Sequence, residues 1–214
     1  MIYLIRHGVI EGAEERRFIG QSNPPLSEAG RHNAGQWNKL LAGIEFEAVF
    51  CSDLRRAQET ARIIAGDKQP AVQPVPQLRE IHLGQWEGLS MNYIRRQFPE
   101  KWRRRGENIS SYKPPEGESF NDLQSRVVPF FEALGRQLRG HALIVAHAGV
   151  NRVILCHVLG MPVSDLFRLR QDYGALNIID YAGNNSRVIG LNLMPDDFGN
   201  GENKSNSHCA SETV

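Results

Sequence analysis

The chain lacks any apolar run long enough to cross a membrane. Its first, residues 2–5, ends at Arg6 after four positions and is also too short for a signal peptide, so the expected compartment is the cytoplasm. Cysteine is scarce: Cys51, Cys156 and Cys209 are odd in number and lack the paired spacing of a zinc site or redox motif. Cys51 and Cys156 read as reduced core residues. Charge of one sign is not in excess either. The 25 Lys and Arg against 24 Asp and Glu leave a net +1, which gives no reason to expect nucleic acid or an anionic membrane as partner. Internal repeats and a separate linker are absent. What remains, 41% hydrophobic and 23% charged residues over 214 positions, is the profile of a globular chain with one sizeable core.

Short apolar runs alternate with helical periodicities, which predicts an α/β fold: a three-layer sandwich with a mostly parallel central sheet flanked by helices. A first strand covers residues 2–6. Ser27 then caps a helix with Ala34, Trp37, Leu40 and Leu41 on one face, ending near Gly43. A second strand, 48–51, leads into a helix capped by Ser52 or Asp53 and stopped by Gly66. Extended chain follows at 72–76, and a short helix at 90–98. A long helix is expected over 119–138, bent or split by Pro129. Residues 142–146 are wholly apolar, as a central parallel strand should be, and 149–159 continue as a helix stopped by Gly160. The runs 176–181 and 187–193 read as edge strands joined at Asn184-Asn185. One domain is expected over 1–195, with an insertion or lid at about 84–120 and a disordered tail over 196–214.

In open α/β sheets, ligands bind at the carboxyl ends of strands, where helix N-termini also point. Arg6-His7 ends the first strand, Ser52-Asp53-Leu54-Arg55-Arg56 opens a helix after the second, and His147 ends the apolar run before another helix. If those strands are neighbours, two histidines and one or two arginines meet at an anion site. Guanidinium forks match phosphoryl oxygens, and a neutral imidazole can attack phosphorus to form a covalent intermediate. A departing alkoxide needs a proton, which Glu80, ahead of a glycine-bearing turn, could deliver.

"RHG" at 6–8, "SDLRRAQETA" at 52–61, "LREIHLGQWEG" at 78–88, "PEGES" at 115–119 and "VAHAGVNRVIL" at 145–155 resemble the histidine phosphatase superfamily. The likeness is to the branch of cofactor-dependent phosphoglycerate mutases and small-molecule phosphatases, and most of all to α-ribazole phosphatases of cobalamin assembly. It spans residues 1 to about 195. It implies a phosphoglycerate mutase-like fold, His7 as phosphohistidine nucleophile, Arg6, Arg56 and His147 as the phosphate pocket, and Glu80 as general acid and later base. It also chooses Arg56 over Arg55, and it matches Gly20 and Gln21 to positions lining the substrate pocket, with Ala148 beside them. The activity implied is hydrolysis of a small phosphorylated metabolite, such as α-ribazole 5′-phosphate, without metal or cofactor. No compact pair of metal ligands joins His7, His82 and His147.

Where most relatives carry Glu, Thr and Asn after "RHG", this chain has Val9, Ile10 and Ala13, which counts against a mutase. Phosphoglycerate mutase-type transfer and non-catalytic binding of a phosphorylated ligand remain the alternatives, and a homodimer stays open. His82 reads equally as pocket or surface. The segment at 95–106 interleaves Arg95, Arg96, Lys101, Arg103, Arg104 and Arg105 with Phe98 and Trp102. It reads as a solvated helical face, with a substrate-attracting lid built on Trp102 and Arg103 as the competing reading.

Overall fold

The computed structural model describes residues 1–67 and 69–198. Its elements in chain order are β1 (Ile2–Arg6), α1 (Glu28–Leu40), β2 (Phe46–Cys51), α2 (Arg55–Ala65), β3 (Val72–Pro74), α3 (Met91–Gln97), α4 (Pro99–Glu107), α5 (Phe120–Gln137), β4 (His141–Ala146), α6 (Ala148–Leu159), β5 (Leu176–Asp180) and β6 (Arg187–Leu193). The strands form one sheet in the order β3-β2-β4-β1-β5-β6, with β1 to β4 mutually parallel and β5 antiparallel to both its neighbours. The fold is the expected α/β sandwich.

Period-2 alternation explains the two cores. Ile2, Leu4, Ile144 and Ala146 face α5 and α6, meeting Leu123, Val127, Phe131, Val150 and Ile154. Ile5, Val49, Leu143 and Val145 face α1 and α2, meeting Ala34, Trp37, Ala57, Ala61 and Ile64. A strand buried on both faces must be apolar at every position, which is why 142–146 carry no polar residue. Each fully buried Leu, Ile or Phe contributes about 1.5–3 kcal/mol relative to exposure.

Several local expectations change. β5 is an interior strand between β1 and β6, and of the two late strands β6 alone is an edge. Asn177, a polar residue with no exposure, sits inside it because its amide bonds the Leu4 carbonyl and Gln171. Pro129 does not split α5. Pro129 and Ser125 both lie on the solvent side, so the carbonyl that the proline leaves without a donor is open to water. Asp53 does not cap α2. Its carboxylate pairs with Arg79 at 2.5 Å, while Ser52 Oγ accepts the Leu54 N–H at 3.2 Å and Asn23 Oδ1 accepts the Arg55 N–H at 2.8 Å.

Residues 84–120 carry α3 and α4 over the carboxyl ends of the strands. Trp86 and Ile94 pack with Phe18 there, and Trp102 and Tyr112 close against them. Pro99 opens α4 at a position where a missing N–H costs nothing. At the other end of the chain, Pro195–Asp197 form a 3-10 turn and the Phe198 ring meets Trp37 edge-on at 5.6 Å. Residues 199–214 of the expected tail, Cys209 included, lie outside the described residues. No helix among the described residues is long and apolar enough to cross a membrane.

The turn after β1 is held against α1 by two glycines. A Cβ on Gly8 would lie 2.7 Å from the Gly30 carbonyl oxygen, and one on Gly30 would press into the Val9 backbone. Neither neighbour is a flexible side chain. Gly30→Ala should therefore destabilise the fold by about 1–3 kcal/mol, lowering Tm by several degrees in a thermal melt. An unchanged Tm would mean that the two backbones are not in contact.

Candidate active site

The strand order makes β2, β4 and β1 neighbours, so their carboxyl ends and the N-termini of α2 and α6 converge. Backbone bonds stitch this rim: the His7 N–H donates to the Ala146 carbonyl at 2.9 Å and the Ser52 N–H to Val145 at 3.0 Å. The Gly8 N–H donates to Thr60 Oγ1 at 3.1 Å, and that hydroxyl donates to the Arg56 carbonyl at 2.7 Å. The backbones of Gly8 and Arg56 are thus tied through one hydroxyl.

His7 is 4% exposed, with Nδ1 2.8 Å from the Gly8 carbonyl oxygen. A carbonyl only accepts, so Nδ1 carries the proton and Nε2 the lone pair. Arg56 Nε, which only donates, lies 3.1 Å from Nε2 and requires the same tautomer. The other Arg56 nitrogens donate to the carbonyls of Ser22 at 2.6 Å and Gly20 at 2.8 Å. Gly20 adopts φ +52, and a Cβ there would strike the Glu87 carboxylate, so this turn depends on glycine. Arg6 donates to the Gln171 carbonyl at 2.7 Å, and its guanidinium carbon sits 3.5 Å over the centre of the Tyr173 ring.

Among the described residues, neither Arg6 nor Arg56 has a carboxylate partner within 4.0 Å. Burial lowers both guanidinium pKa values, Arg56 to about 10, and each stays charged at neutral pH. Burial first, then the Arg56 and Arg6 charges, hold His7 well below the ordinary imidazole value and hence neutral. His147 is pushed the same way by burial, Arg56 and His7. Its ring lies 5.0 Å from that of His7, and both its nitrogens are buried without a partner. Glu80 faces the N-terminus of α6: one carboxylate oxygen accepts the Ile81 N–H at 2.9 Å and the other the Gly149 N–H at 3.1 Å.

These groups lie in and directly behind the wall of a cleft of about 570 Å³ lined by Arg6, His7, Gly20, Arg56, Glu80, Ala148 and Tyr173. Two sequence-predicted residues do not line it. His147 is fully buried behind His7, and the Gln21 amide instead donates to the Glu80 carbonyl at 3.1 Å. Arg55 is exposed where Arg56 is buried. His82 lies outside the cleft wall, 3.9 Å from Glu87. Ile10 and Ala13 do line it, making that wall apolar.

Tyr173, Arg152 and Phe167 line the cleft although the sequence does not mark them, and within 95–106 the competing lid reading places Arg103 at the substrate. Arg103 faces away and pairs with Glu100 and Glu107, each at 2.6 Å. Arg105 lines the cleft instead, 5.6 Å from Phe18 and 5.8 Å from Phe167. Helical spacing separates the two: Arg103 shares a face with Glu100 and Glu107, whereas Arg105 stands two positions round the turn. For Tyr173 the sequence carries no signal. Among the described residues no three His, Cys, Asp or Glu side chains cluster to hold a metal ion.

A buried imidazole between two unpaired guanidiniums at the switch point of such a sheet defines a phosphoryl-handling enzyme. The profile of the histidine phosphatase superfamily (branch 1) matches residues 2–194, and the chain belongs to that superfamily as a phosphatase. It is 31% identical over 198 residues to an adenosylcobalamin/alpha-ribazole phosphatase of Escherichia coli (strain K12), covering 89% of this chain and 98% of the other. It is 29% identical over 205 residues to a 2,3-bisphosphoglycerate-dependent phosphoglycerate mutase of Rhizobium etli, covering 90% and 96%. The crystal structure of the alpha-ribazole phosphatase from Shigella flexneri superposes with a TM-score of 0.83 at 30% identity, covering 90% of this chain and 96% of that one.

The depressed His7 and His147 values set a sign. A histidine whose folded pKa lies below its unfolded value of about 6.5 gives full stability above that value and loses it as pH falls towards the folded pKa. Thermal melts should therefore show stability declining below pH ~6.5, and a His147→Asn variant should show a shallower decline. A wild type whose stability rises on acidification would contradict the buried, neutral pair.

Proposed function

We propose that the chain is a metal-independent phosphomonoesterase working through a phosphohistidine on His7. The observation that carries this reading is the Nε2 lone pair of His7 held beside Arg56 at the floor of the cleft. Nε2 attacks phosphorus in line, a P–N bond forms and the ester P–O bond breaks. Arg6 and Arg56 hold the equatorial oxygens, and His147, whose nitrogens have no protein partner, adds a further contact as charge spreads. The Glu80 carboxyl gives its proton to the departing alkoxide. Water then attacks the phosphohistidine while Glu80 takes up its proton, the P–N bond breaks, and inorganic phosphate leaves. The positive charge a metal would bring is already present in two guanidiniums.

The substrate we infer is a small phosphorylated metabolite with an apolar or aromatic body, with α-ribazole 5′-phosphate the leading candidate. Two features support this: the names of the similar proteins and the wall of Phe18, Ile109, Tyr112, Phe120 and Phe167. Hydrolysis is favoured over mutase chemistry because Ile10 and Ala13 place apolar surface beside the cradle. Inorganic phosphate release measured against phosphoglycerate isomerisation separates the two.

With a 32P-labelled ester, Glu80→Gln should lower turnover by about 10²–10⁴-fold while labelled enzyme remains detectable, and His7→Ala should abolish both signals. Label retained by the Ala variant would refute the assignment. Across a panel of phosphorylated metabolites, Arg105→Ala should raise KM about tenfold for an aromatic nucleotide-like ester and leave a small alkyl ester little changed. Equal effects would remove Arg105 from substrate recognition.

A further inference from the structure

Arg126, in the second turn of α5, uses all five of its N–H donors. Nε and Nη2 form a bidentate pair with Glu118, both at 2.9 Å. Nη1 donates to the carbonyls of Gln77 at 2.7 Å and Arg79 at 2.8 Å, and Nη2 also donates to the Glu80 carbonyl at 3.0 Å. One planar fork thus grips the backbone just ahead of, and at, the residue that carries the acid.

Glu118 is itself fixed to the same strip of chain. Its Oε2 accepts the His82 N–H at 2.9 Å, and its own N–H donates to the His82 carbonyl at 2.7 Å. From the loop after β1, Gln21 Nε2 reaches the Glu80 carbonyl at 3.1 Å. The Glu80 carbonyl therefore has two side-chain donors from two distant segments, and no element of secondary structure holds residues 79–83 otherwise. A loop without a ladder places a carboxyl accurately only if its main chain is pinned.

We propose that Arg126, clamped by Glu118, is the positioning residue that holds the Glu80 main chain, and with it the acid–base carboxyl, at the edge of the phosphoryl cradle. This rests on the assignment of Glu80 as acid and base. Lysine cannot replace the arginine here, because a single ammonium group cannot span a carboxylate and three carbonyls at once.

The test compares kcat/KM for two probes, 4-nitrophenyl phosphate, whose leaving group departs without a proton, and glycerol 2-phosphate, whose alkoxide needs one. Arg126→Lys should lower kcat/KM for the alkyl ester about 10- to 100-fold and for the aryl ester by less than about threefold. Inhibition by orthovanadate should be unchanged, since Arg6 and Arg56 do not touch Arg126. In a Glu80→Gln background, Arg126→Lys should have no further effect on the alkyl ester. Equal losses on both esters, or full additivity with Glu80→Gln, would overturn the positioning role and leave Arg126 as a brace for α5. A Glu80→Gln variant with an unchanged alkyl-to-aryl ratio would instead overturn the acid assignment itself, and the proposal with it. If Arg126→Lys does not fold, Glu118→Gln, which leaves one neutral acceptor for the guanidinium, should show the same selectivity at smaller size. Its absence would count equally against the proposal.

Discussion

The chemistry of this site depends on a single 2.8 Å contact between His7 Nδ1 and the carbonyl of the next residue, Gly8. That bond places the proton on Nδ1 and the lone pair on Nε2, where a phosphoryl group can be met. Its geometry comes from the fold. β1 delivers His7 at its carboxyl end, the Ala146 carbonyl fixes the His7 N–H, and the contact between Gly8 and Gly30 sets the turn that follows. Because Gly8 packs directly on the α1 backbone, its carbonyl cannot swing away from the imidazole without moving a helix.

Around that imidazole the protein tolerates an arrangement that is unfavourable until a ligand arrives. Among the described residues neither the half-buried Arg6 nor the buried Arg56 has a carboxylate partner, and desolvating such ions costs several kcal/mol each. The carbonyls of Gly20, Ser22 and Gln171 and the face of Tyr173 offset part of this. Full compensation needs an oxyanion, so a phosphoryl group relieves what folding leaves uncompensated. In the proposed reaction the Arg56 Nε–H, which rests on His7 Nε2, would turn to a phosphoryl oxygen. Glu80 is held through neutral backbone N–H groups without a direct ion pair to Arg6 or Arg56, although its charge acts on both guanidiniums at longer range.

Much of this architecture was legible in the sequence because it depends on short-range pattern. The continuous apolar runs of β1 and β4, the helix starts after β2 and β4 and the cap at Ser27 are local statements, and they placed Arg6, His7 and His147 at strand ends; that these ends are adjacent is what the sheet order adds. Periodicity alone could not separate Arg55 from Arg56. The family likeness did, and burial agrees with it. The interior position of β5 was hidden because its polar Asn177 looks like an edge residue until the Leu4 carbonyl and Gln171 are seen to satisfy it. The bond of Gln21 to Glu80, and the parts played by Arg126 and Tyr173, were out of reach for a different reason. Their roles lie in bonds and stacks to Glu80 and Arg6, partners 46 to 167 residues away along the chain, which no local spacing encodes.

The most direct check of this account is the site of phosphorylation on the trapped phosphoenzyme, read by 31P NMR after denaturation in base, where phosphohistidine survives. The tautomer fixed by Gly8 requires phosphorus on Nε2 of His7. Phosphorus on Nδ1 of that ring, or on His147, would show that the carbonyl does not hold the imidazole as described.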